Sequence, residues 1–456
     1  MNITPHTHPL VQDFLTQESL IFSLMEKSAR TTHIRFPEIF AENIRLFKKH
    51  LPQNAHIFLA HKATNSPRFV QTAKEEGIGI DVSTKEELRH AIKHGFAGTS
   101  INCTGPKSRD FLSEALTHSC VITVDSFAEL RRLSEFEQSA TILVRVQDPK
   151  IGEREFIEKK SKFGVFKQEL PQIYDFFLKH KNLRFKGFHF HKDGYDAQSK
   201  AEIIEYFLTE IINARKQSLW PDTLNMGGGI KAPIFQDARQ WLTYIHELEK
   251  SLLEYQPLPT WGEHSFGLYK NAHGKIMGRV EAESVATATN PIEYMTKIFS
   301  YKTAHEISVQ NLLIECGVQV WFEPGYALLY NAGCSIVPII ETRKYEDYKL
   351  TVLNTNIFDM STKMFPLLTD PYILGVQDSE KIQTYLSGNL CREDDILSYR
   401  QFTVPKNISE KNLLVFCNTG AYTQSYESAN PQLHAKPFYV SAQKKKTTWE
   451  LQEHDI

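Results

Sequence analysis

Residues 56–82 read HIFLAHKATNSPRFVQTAKEEGIGIDV, and the fold class follows from the pattern of this segment. A short apolar strand is followed by an amphipathic helical segment and then by a second apolar strand. The same unit recurs along the chain with strand starts about 21 residues apart, a spacing that suits one strand, one helix and two short loops. Recurring units of this kind predict parallel strands joined by crossover helices.

Eight such strands are predicted before residue 335. They read HIFLAH (56–61), GIGIDV (77–82), TSINC (99–103), CVITVD (120–125), TILVRV (141–146), RFKGFHFH (184–191), DTLNM (222–226) and VQVWF (318–322). Eight parallel strands with crossover helices indicate an α/β architecture, a TIM-like (β/α)8 barrel, over residues 36–334. An open doubly wound sheet is the alternative.

The sequence pattern changes after about residue 335, where short strand patterns follow one another with few long helical segments between them. The strands are CSIVPIIETRKY from Cys334, YKLTVLNT, FTVP, LLVFCN, FYVSA and TTWELQE. We therefore expect a β-rich second domain, a barrel or sandwich, formed by residues 335–456 with residues 1–35. The segment 256–301 is a long insertion, either a functional lid or subunit contact or a variable surface decoration.

Composition excludes several classes of function. The chain has 52 basic and 54 acidic side chains, so no broad field would attract nucleic acid or an anionic membrane. No apolar run is long enough to span a membrane, and the first residues lack the pattern of a signal peptide. Six scattered cysteines fit neither a zinc site nor a disulfide framework. A soluble, cytoplasmic protein with free thiols is expected.

Polar residues stand where the predicted barrel strands end, which is the edge that carries the chemistry in such barrels. Lys62 ends the first strand, where desolvation would lower the pKa of its ammonium and make it a usable amine, although a lysine there can also reach solvent. The other strand ends carry Arg145, the pair His189 and His191, the triplet 227–229 and Glu323. Consecutive glycines let backbone N–H groups approach a phosphate. The two histidines share a strand face, but no further ligand completes a metal spacing, so no metal is expected.

Taken together, these motifs resemble those of the fold-type III PLP-dependent (pyridoxal-phosphate-dependent) decarboxylases, the ornithine/diaminopimelate/arginine decarboxylase family with an alanine racemase-like barrel. The matching motifs, in order, are AHKATNSP at Lys62, GIDVSTKEEL, CTGPKS, TVDSFAEL, SKFG, GFHFHKDG, MGGG, EPG at Glu323, CREDD at Cys391 and TGAYT from Thr419. The resemblance covers nearly the whole chain.

The resemblance implies pyridoxal 5'-phosphate as the cofactor, with Lys62 as the Schiff-base lysine and His191 stacked on the ring. The cofactor-binding set it implies is Lys62, Asp81, Glu87, Arg145, His191, Gly227, Gly228, Gly229, Glu323, Gly325 and Tyr422. Glu323 would face the pyridine nitrogen, where related racemases carry an arginine, and this favours decarboxylation. Cys391 would come from the partner subunit of a homodimer and protonate Cα, so the second domain would contribute to a shared active site.

The chain departs from the family pattern at three places. Arg392 follows the cysteine where the diamine-forming enzymes have an acidic residue, which suggests a substrate with an acidic or otherwise non-diamine distal group read by Arg392 and Asp395. Alternatively, Arg392 pairs locally with Glu393 or Asp394. Lys192-Asp193-Gly194 replaces a glycine-serine, and Tyr326 replaces an arginine after EPG, so two phosphate contacts are lost. A racemase or epimerase, or a non-catalytic PLP-binding protein, are the alternative functions.

Overall fold

The computed structural model describes residues 2–147, 161–192, 196–278, 280, 288–303, 306–362, 367–376, 380–424 and 436–454. The chain divides into two compact units. The barrel unit comprises Ala41–Ile230 and Asn290–Leu328, and the sheet unit comprises Met1–Phe40, Lys231–Thr289 and Leu329–Ile456. The sheet unit thus also contains Lys231–Thr289, which lies within the range 36–334 predicted for the barrel and includes part of the predicted insertion 256–301. Among the described helices, none has both the length and the apolar character that a membrane span requires.

Strands are numbered in chain order, and β1 (Thr32–Arg35) belongs to the sheet unit. The barrel unit contains β2 (Ala55–Ala60), β3 (Gly79–Val82), β4 (Ile101–Cys103), β5 (Val121–Val124), β6 (Ala140–Arg145), β7 (Leu183–His189), β8 (Thr223–Asn225) and β11 (Gln319–Phe322). Neighbouring strands are all parallel, and β11 pairs with both β8 and β2, so the barrel closes. The predicted eight-stranded barrel is confirmed and the open sheet is excluded.

Helices cover the outside of the barrel because each has one apolar face to bury. Their bounds are Pro67–Glu75, Lys85–Lys93, Arg109–Thr117, Phe127–Leu133, Leu170–Lys179, Ala197–Lys216, Pro291–Ser300 and Val309–Glu315, while Pro37–His50 and Tyr326–Leu329 cross between the units. The first four begin at a serine or threonine whose hydroxyl accepts a hydrogen bond from a backbone N–H of the first turn: Ser66, Thr84, Ser108 and Ser126. Each such cap is worth about 1 kcal/mol and helps to fix where the strand-to-helix loop ends.

The interior of the barrel changes from apolar to polar along the strands. Phe58, Val121, Leu143 and Trp321 form a buried cluster, with the rings of Phe58 and Trp321 4.5 Å apart. Polar side chains that are also buried follow nearer the carboxyl ends of the strands: Asp81, Asn102, Thr123, His189 and Asn225. The apolar cluster supports this polar layer, and the site is built from it.

The sheet unit is organised around nine strands. The remaining strands are β12 (Gly333–Lys344), β13 (Lys349–Leu353), β14 (Tyr372–Leu374), β15 (Lys381–Ser387), β16 (Phe402–Pro405), β17 (Leu413–Cys417), β18 (Phe438–Lys445) and β19 (Thr448–His454), with the separate hairpin β9 (Leu268–Lys270) and β10 (Ile276–Gly278). The main path of the sheet runs β16-β15-β13-β12-β1-β18-β19, while β17 pairs with β12 and β14. The β-rich second domain is therefore confirmed.

Among its described residues, the sheet unit has three helices: Pro9–Leu15, Glu18–Ser28 and Ala238–Glu254. The first two helices are separated at Thr16 and Gln17, where the first has ended and the second has not begun. Trp241 of the third helix stacks on Phe235 and lies in a core that also includes Ile3. Ile3, near the amino terminus, thus shares one hydrophobic core with the third helix and with β9.

Candidate active site at the carboxyl ends of the barrel strands

Lys62 lies just beyond the first barrel strand, in the 3-10 turn His61–Ala63, two residues after β2 ends. Its side chain is exposed, whereas those of His61 and Ala63 are buried. The side chain of Lys62 is therefore not buried in the isolated chain, although the sequence predicted that it would be desolvated. Burial raises the pKa of Asp81 and opposes ionisation of Glu87, and the positive charge of Lys62 acts in the other direction on both carboxyl groups.

Glu323 follows β11 and lies among three hydrogen-bond donors. Its Oε1 accepts from Asn102 Nδ2 at 2.9 Å and from Asn225 Nδ2 at 2.7 Å, and its Oε2 lies 3.3 Å from His189 Nε2. Burial alone would raise the pKa of this carboxyl, but His189, His191 and the amide donors outweigh it and lower the pKa to about 2. Glu323 is therefore ionised at neutral pH although only 6% of its surface is exposed.

Asp81, on β3, lies on the other side of Asn102. Asn102 Nδ2 donates to Asp81 Oδ1 at 3.2 Å as well as to Glu323, while Thr104 Oγ1 donates to Asp81 Oδ2 at 3.0 Å. Burial raises the pKa of Asp81 well above its ordinary value, and the negative charge of Glu323 adds to the effect. The two carboxyl groups thus favour opposite protonation states.

Glu87 belongs to the first turn of the helix Lys85–Lys93, where its Oε2 accepts from Ser83 N–H at 2.6 Å. Burial opposes ionisation, but contact with His61 Nδ1 at 3.7 Å gives the carboxyl a lowered pKa. His61 Nε2 in turn lies 2.8 Å from His90 Nδ1. Burial lowers the pKa of His90 to about 4, so this imidazole is neutral at pH 7.

Arg145 ends β6 and faces the mouth from the opposite wall. Its Nη1 lies 3.8 Å from Asp125 Oδ1, and its guanidinium stacks on the Phe163 ring at 4.4 Å. Asp125 also accepts from Gly164 N–H at 3.1 Å, which ties the SKFG segment to the end of β5. Burial lowers the pKa of Arg145, although an arginine stays charged at neutral pH.

His191 and the glycine triplet form one wall of the site. His191 Nδ1 accepts from Gly228 N–H at 3.1 Å. A Cβ on Gly227 would lie 2.7 Å from Phe190 O, and one on Gly228 would lie 2.7 Å from Glu323 O, so both positions need glycine. Gly325, buried after Glu323, precedes the turn of helix that starts at Tyr326.

The predicted residues of the sheet unit are on its surface or in its own loops. Cys391 and Arg392 are exposed, and the guanidinium forms a bidentate pair with Asp394, both N–O distances being 2.8 Å. Asp395 is buried and accepts from Ile357 N–H at 2.9 Å and Leu390 N–H at 2.8 Å, which gives it a role in shaping this loop. Tyr422 is half-buried and has a positive φ of 63°.

Ten of the residues predicted from the sequence thus lie at one edge of the barrel: Lys62, Asp81, Glu87, Arg145, His191, Gly227, Gly228, Gly229, Glu323 and Gly325. It missed Asn102 and Asn225, which hold Glu323, and it left the role of His189 open. A buried amide inside an apolar strand, as in TSINC and DTLNM, was the available signal. Asp193 and Gly194 lie outside the described residues, so that departure stays a prediction.

The residues present fit PLP. An ionised buried carboxylate, an imidazole and a loop of glycine amides surround one mouth, and a lysine amine stands at its edge. These groups match, respectively, the ring nitrogen, the ring face, the phosphate and the aldehyde of the cofactor.

Comparison with known proteins agrees with this geometry. Residues 38–262 match the model of the pyridoxal-binding domain of pyridoxal-dependent decarboxylases. An uncharacterised protein of Sinorhizobium fredii, y4yA, is 24% identical over 438 residues, which are 92% of this chain and 89% of that protein. The diaminopimelate decarboxylase of Bacteroides thetaiotaomicron is 26% identical over 384 residues, covering 80% of this chain and 83% of that enzyme.

Solved structures show the same fold at lower identity. The lysine decarboxylase of Selenomonas ruminantium superposes with a TM-score of 0.70 and 18% identity, covering 93% of this chain and 95% of that one. The arginine decarboxylase of Paramecium bursaria Chlorella virus gives 0.69 and 16%, with 93% and 100% covered. The chain is therefore similar over most of its length to PLP-dependent decarboxylases, as a divergent relative whose residues 38–262 match their pyridoxal-binding domain.

Proposed function

We propose that this chain is a PLP-dependent amino-acid decarboxylase in which Lys62 binds the cofactor covalently and Glu323 contacts its ring nitrogen. The observation that carries the proposal is the burial of the Glu323 carboxyl group within hydrogen-bond distance of Asn102, Asn225 and His189. An anionic oxygen at this position keeps a ring nitrogen protonated. When bound, PLP then accepts the electron pair left at Cα as carbon dioxide departs.

The two oxygens of Glu323 are used differently. Oε1 accepts two amide hydrogen bonds, at 2.7 and 2.9 Å, while Oε2 has the single longer contact with His189 at 3.3 Å. Since a carboxylate oxygen accepts two hydrogen bonds or more, Oε2 keeps capacity for another donor. We infer that Oε2 is the atom that would receive the pyridine N–H.

Lys62 supplies the amine. Its exposed side chain stands at the edge of the mouth, where it is free to reach an aldehyde or to be displaced by a substrate amine. Asp81 and Glu87 lie near enough to interact with its charge, and their opposite pKa shifts offer one proton-holding and one proton-accepting carboxyl group beside it. We infer that these two carboxyl groups exchange protons with Nζ of Lys62.

We further propose that the substrate carries an acidic or otherwise non-diamine distal group, and that Arg392 reads it. In the isolated chain Arg392 pairs with Asp394, which is the local alternative considered from the sequence. Reading a substrate carboxylate would require Arg392 to exchange that partner. An exposed ion pair of this kind is worth little, so such an exchange is inexpensive.

The test measures carbon dioxide release by purified protein supplied with PLP, using acidic, basic and conjugated amino acids with an intact α-carboxyl group. We expect release from substrates with a distal carboxylate, loss of release in Lys62→Ala, and a raised KM in Arg392→Ala but not in Asp394→Asn. Release from lysine or ornithine at comparable rates would refute the substrate proposal.

The two alternative functions give different results in the same assay. A racemase or epimerase would change the chirality of the amino acid without releasing carbon dioxide, which chiral chromatography of the reaction detects. A non-catalytic binding protein would show the bound-cofactor absorbance, sensitive to Lys62→Ala, with neither reaction.

A further inference from the structure

Lys200 is a lysine with no exposed surface, near the start of the helix Ala197–Lys216. Lysine is rarely buried to this degree, because its ammonium must find polar partners to offset the loss of water. Its Nζ donates to the carbonyl oxygen of Gly228 at 2.7 Å. The lysine is therefore anchored beneath the glycine triplet.

This hydrogen bond fixes the direction of the next amide. The structure has no cis peptide bonds among its described residues, and in a planar trans peptide the C=O and the following N–H point in opposite directions. With the Gly228 carbonyl turned towards Lys200, the N–H of Gly229 is turned away from it. Gly229 adopts a left-handed φ of 73°, which a residue with a side chain would resist.

The other two glycine amides are already engaged. Gly227 N–H donates to Asn225 Oδ1 at 2.9 Å, and Gly228 N–H donates to His191 Nδ1 at 3.1 Å. Within the described part of the chain, Gly229 N–H makes no hydrogen bond. The open donor of the triplet is thus the amide whose direction Lys200 sets.

We propose that Lys200 is a positioning residue for the phosphate of the cofactor: it holds the Gly228–Gly229 peptide so that the Gly229 amide faces the anion, and it places an ammonium beneath the loop. This inference rests on the proposed PLP-dependent function. It also accounts for a departure in the sequence, since Tyr326 stands where the family pattern has an arginine. A buried cation acts on a nearby anion more strongly than an exposed one.

The experiment compares PLP with pyridoxal, which has the same aldehyde and ring but no phosphate. Dissociation constants for both are measured by absorbance titration of the apoprotein, for wild type, Lys200→Met and Lys200→Gln. Lys216 is an exposed lysine of the same helix, and Lys216→Met is the matched control. We expect Lys200→Met to weaken PLP binding by about tenfold or more, as loss of a charge-assisted contact does, while pyridoxal affinity changes by less than about threefold.

If Lys200→Met loses affinity equally for PLP and pyridoxal, or loses affinity for neither, the inference is overturned. Lys200→Gln keeps a donor for Gly228 O and removes the charge, so a smaller loss of PLP affinity than in Lys200→Met supports the role of the hydrogen bond. If the methionine variant does not fold, a loss of affinity in Lys200→Gln that PLP and pyridoxal share equally still overturns the inference. A second readout is the 31P resonance of bound PLP, which should shift in Lys200→Met and not in Lys216→Met. Because these readouts report binding, a protein that binds PLP but releases no carbon dioxide would refute the proposed reaction and leave the role of Lys200 intact.

Discussion

At the scale of single residues, Asn102 is the centre of the site. Its carboxamide donates to both Asp81 and Glu323, and its oxygen accepts from Thr123 Oγ1 at 2.8 Å. Because one amide bridges the two carboxyl groups, they are held close together inside the barrel, where two negative charges would repel strongly. This repulsion is relieved because the lowered pKa of Glu323 favours its ionised form, while the raised pKa of Asp81 favours its protonated form.

This arrangement predicts a pH-dependent effect of Asp81→Asn on stability. The raised pKa of Asp81 means that its carboxyl group stabilises the fold fully below its unfolded pKa of about 4, and that this contribution is lost as pH rises towards the folded pKa. Asparagine does not titrate. The free energy of unfolding of Asp81→Asn, measured by urea denaturation, should therefore rise relative to wild type between pH 5 and pH 8.

Asp110 of the same unit is exposed, and Asp110→Asn is the control for removing one negative charge. If the difference between wild type and Asp81→Asn is the same at both pH values, Asp81 does not hold its proton in the folded chain.

At the scale of elements, the glycine triplet is the part of the site least able to accept a side chain. Gly227 has a φ of 61°, and a Cβ there would meet Phe190 O at 2.7 Å and His191 Nδ1 at 2.8 Å. Gly262 has a similar φ of 56° but has no atom within 4 Å of such a Cβ. The two positions share backbone strain and differ in crowding.

We therefore predict that Gly227→Ala lowers the melting temperature more than Gly262→Ala does. Each variant bears the cost of a left-handed residue with a side chain, about 1 kcal/mol, and only Gly227→Ala must also displace the backbone at the end of β7. Thermal melts followed by circular dichroism measure both, and PLP titration should show weakened binding for Gly227→Ala alone. Equal shifts in the two variants would contradict the crowding seen around the triplet.

Elements also show how far sequence reasoning reaches. The eight barrel strands were predictable because they are short apolar runs at a regular spacing, and those from β2 to β5 are each followed by a helix with a serine or threonine cap. Strands β14 and β15 were not, because Tyr372–Leu374 is very short and Lys381–Ser387 begins with exposed polar residues. β1 was missed because its four residues, THIR, are buried but not apolar.

The same limit applies within the site. Lys62, His191, the glycines and Glu323 follow strands, where position alone marks them. Lys200 lies within an amphipathic helix, where a lysine is normally read as a solvent-facing residue. Only the folded chain shows that this one is buried against Gly228.

The proposed active site requires two chains. The family resemblance assigns Cys391 to the active site of the partner subunit, and in the single chain this cysteine is exposed. A twofold dimer would give two equivalent sites, each built from both subunits. Homodimer formation remains a prediction that hydrodynamic measurement can check.

Subunit mixing tests the shared site. Lys62→Ala and Cys391→Ala should each have little activity alone, but random exchange of subunits would leave one intact site in half of the dimers. Activity of the mixture should then recover to about a quarter of wild type, as expected for a symmetric dimer with two equivalent sites. A mixture no more active than its components, in a sample shown to exchange subunits, would mean that the two residues serve the same chain or different functions.

The attachment of PLP to Lys62 is tested by locating the covalently bound cofactor. The protein is incubated with PLP, reduced with borohydride to make the linkage permanent, digested, and analysed by peptide mass spectrometry. We predict the phosphopyridoxyl mark on the peptide that contains Lys62, and its loss in Lys62→Ala. A mark on another lysine such as Lys107 or Lys200, or no mark on a folded protein saturated with PLP, would contradict the account.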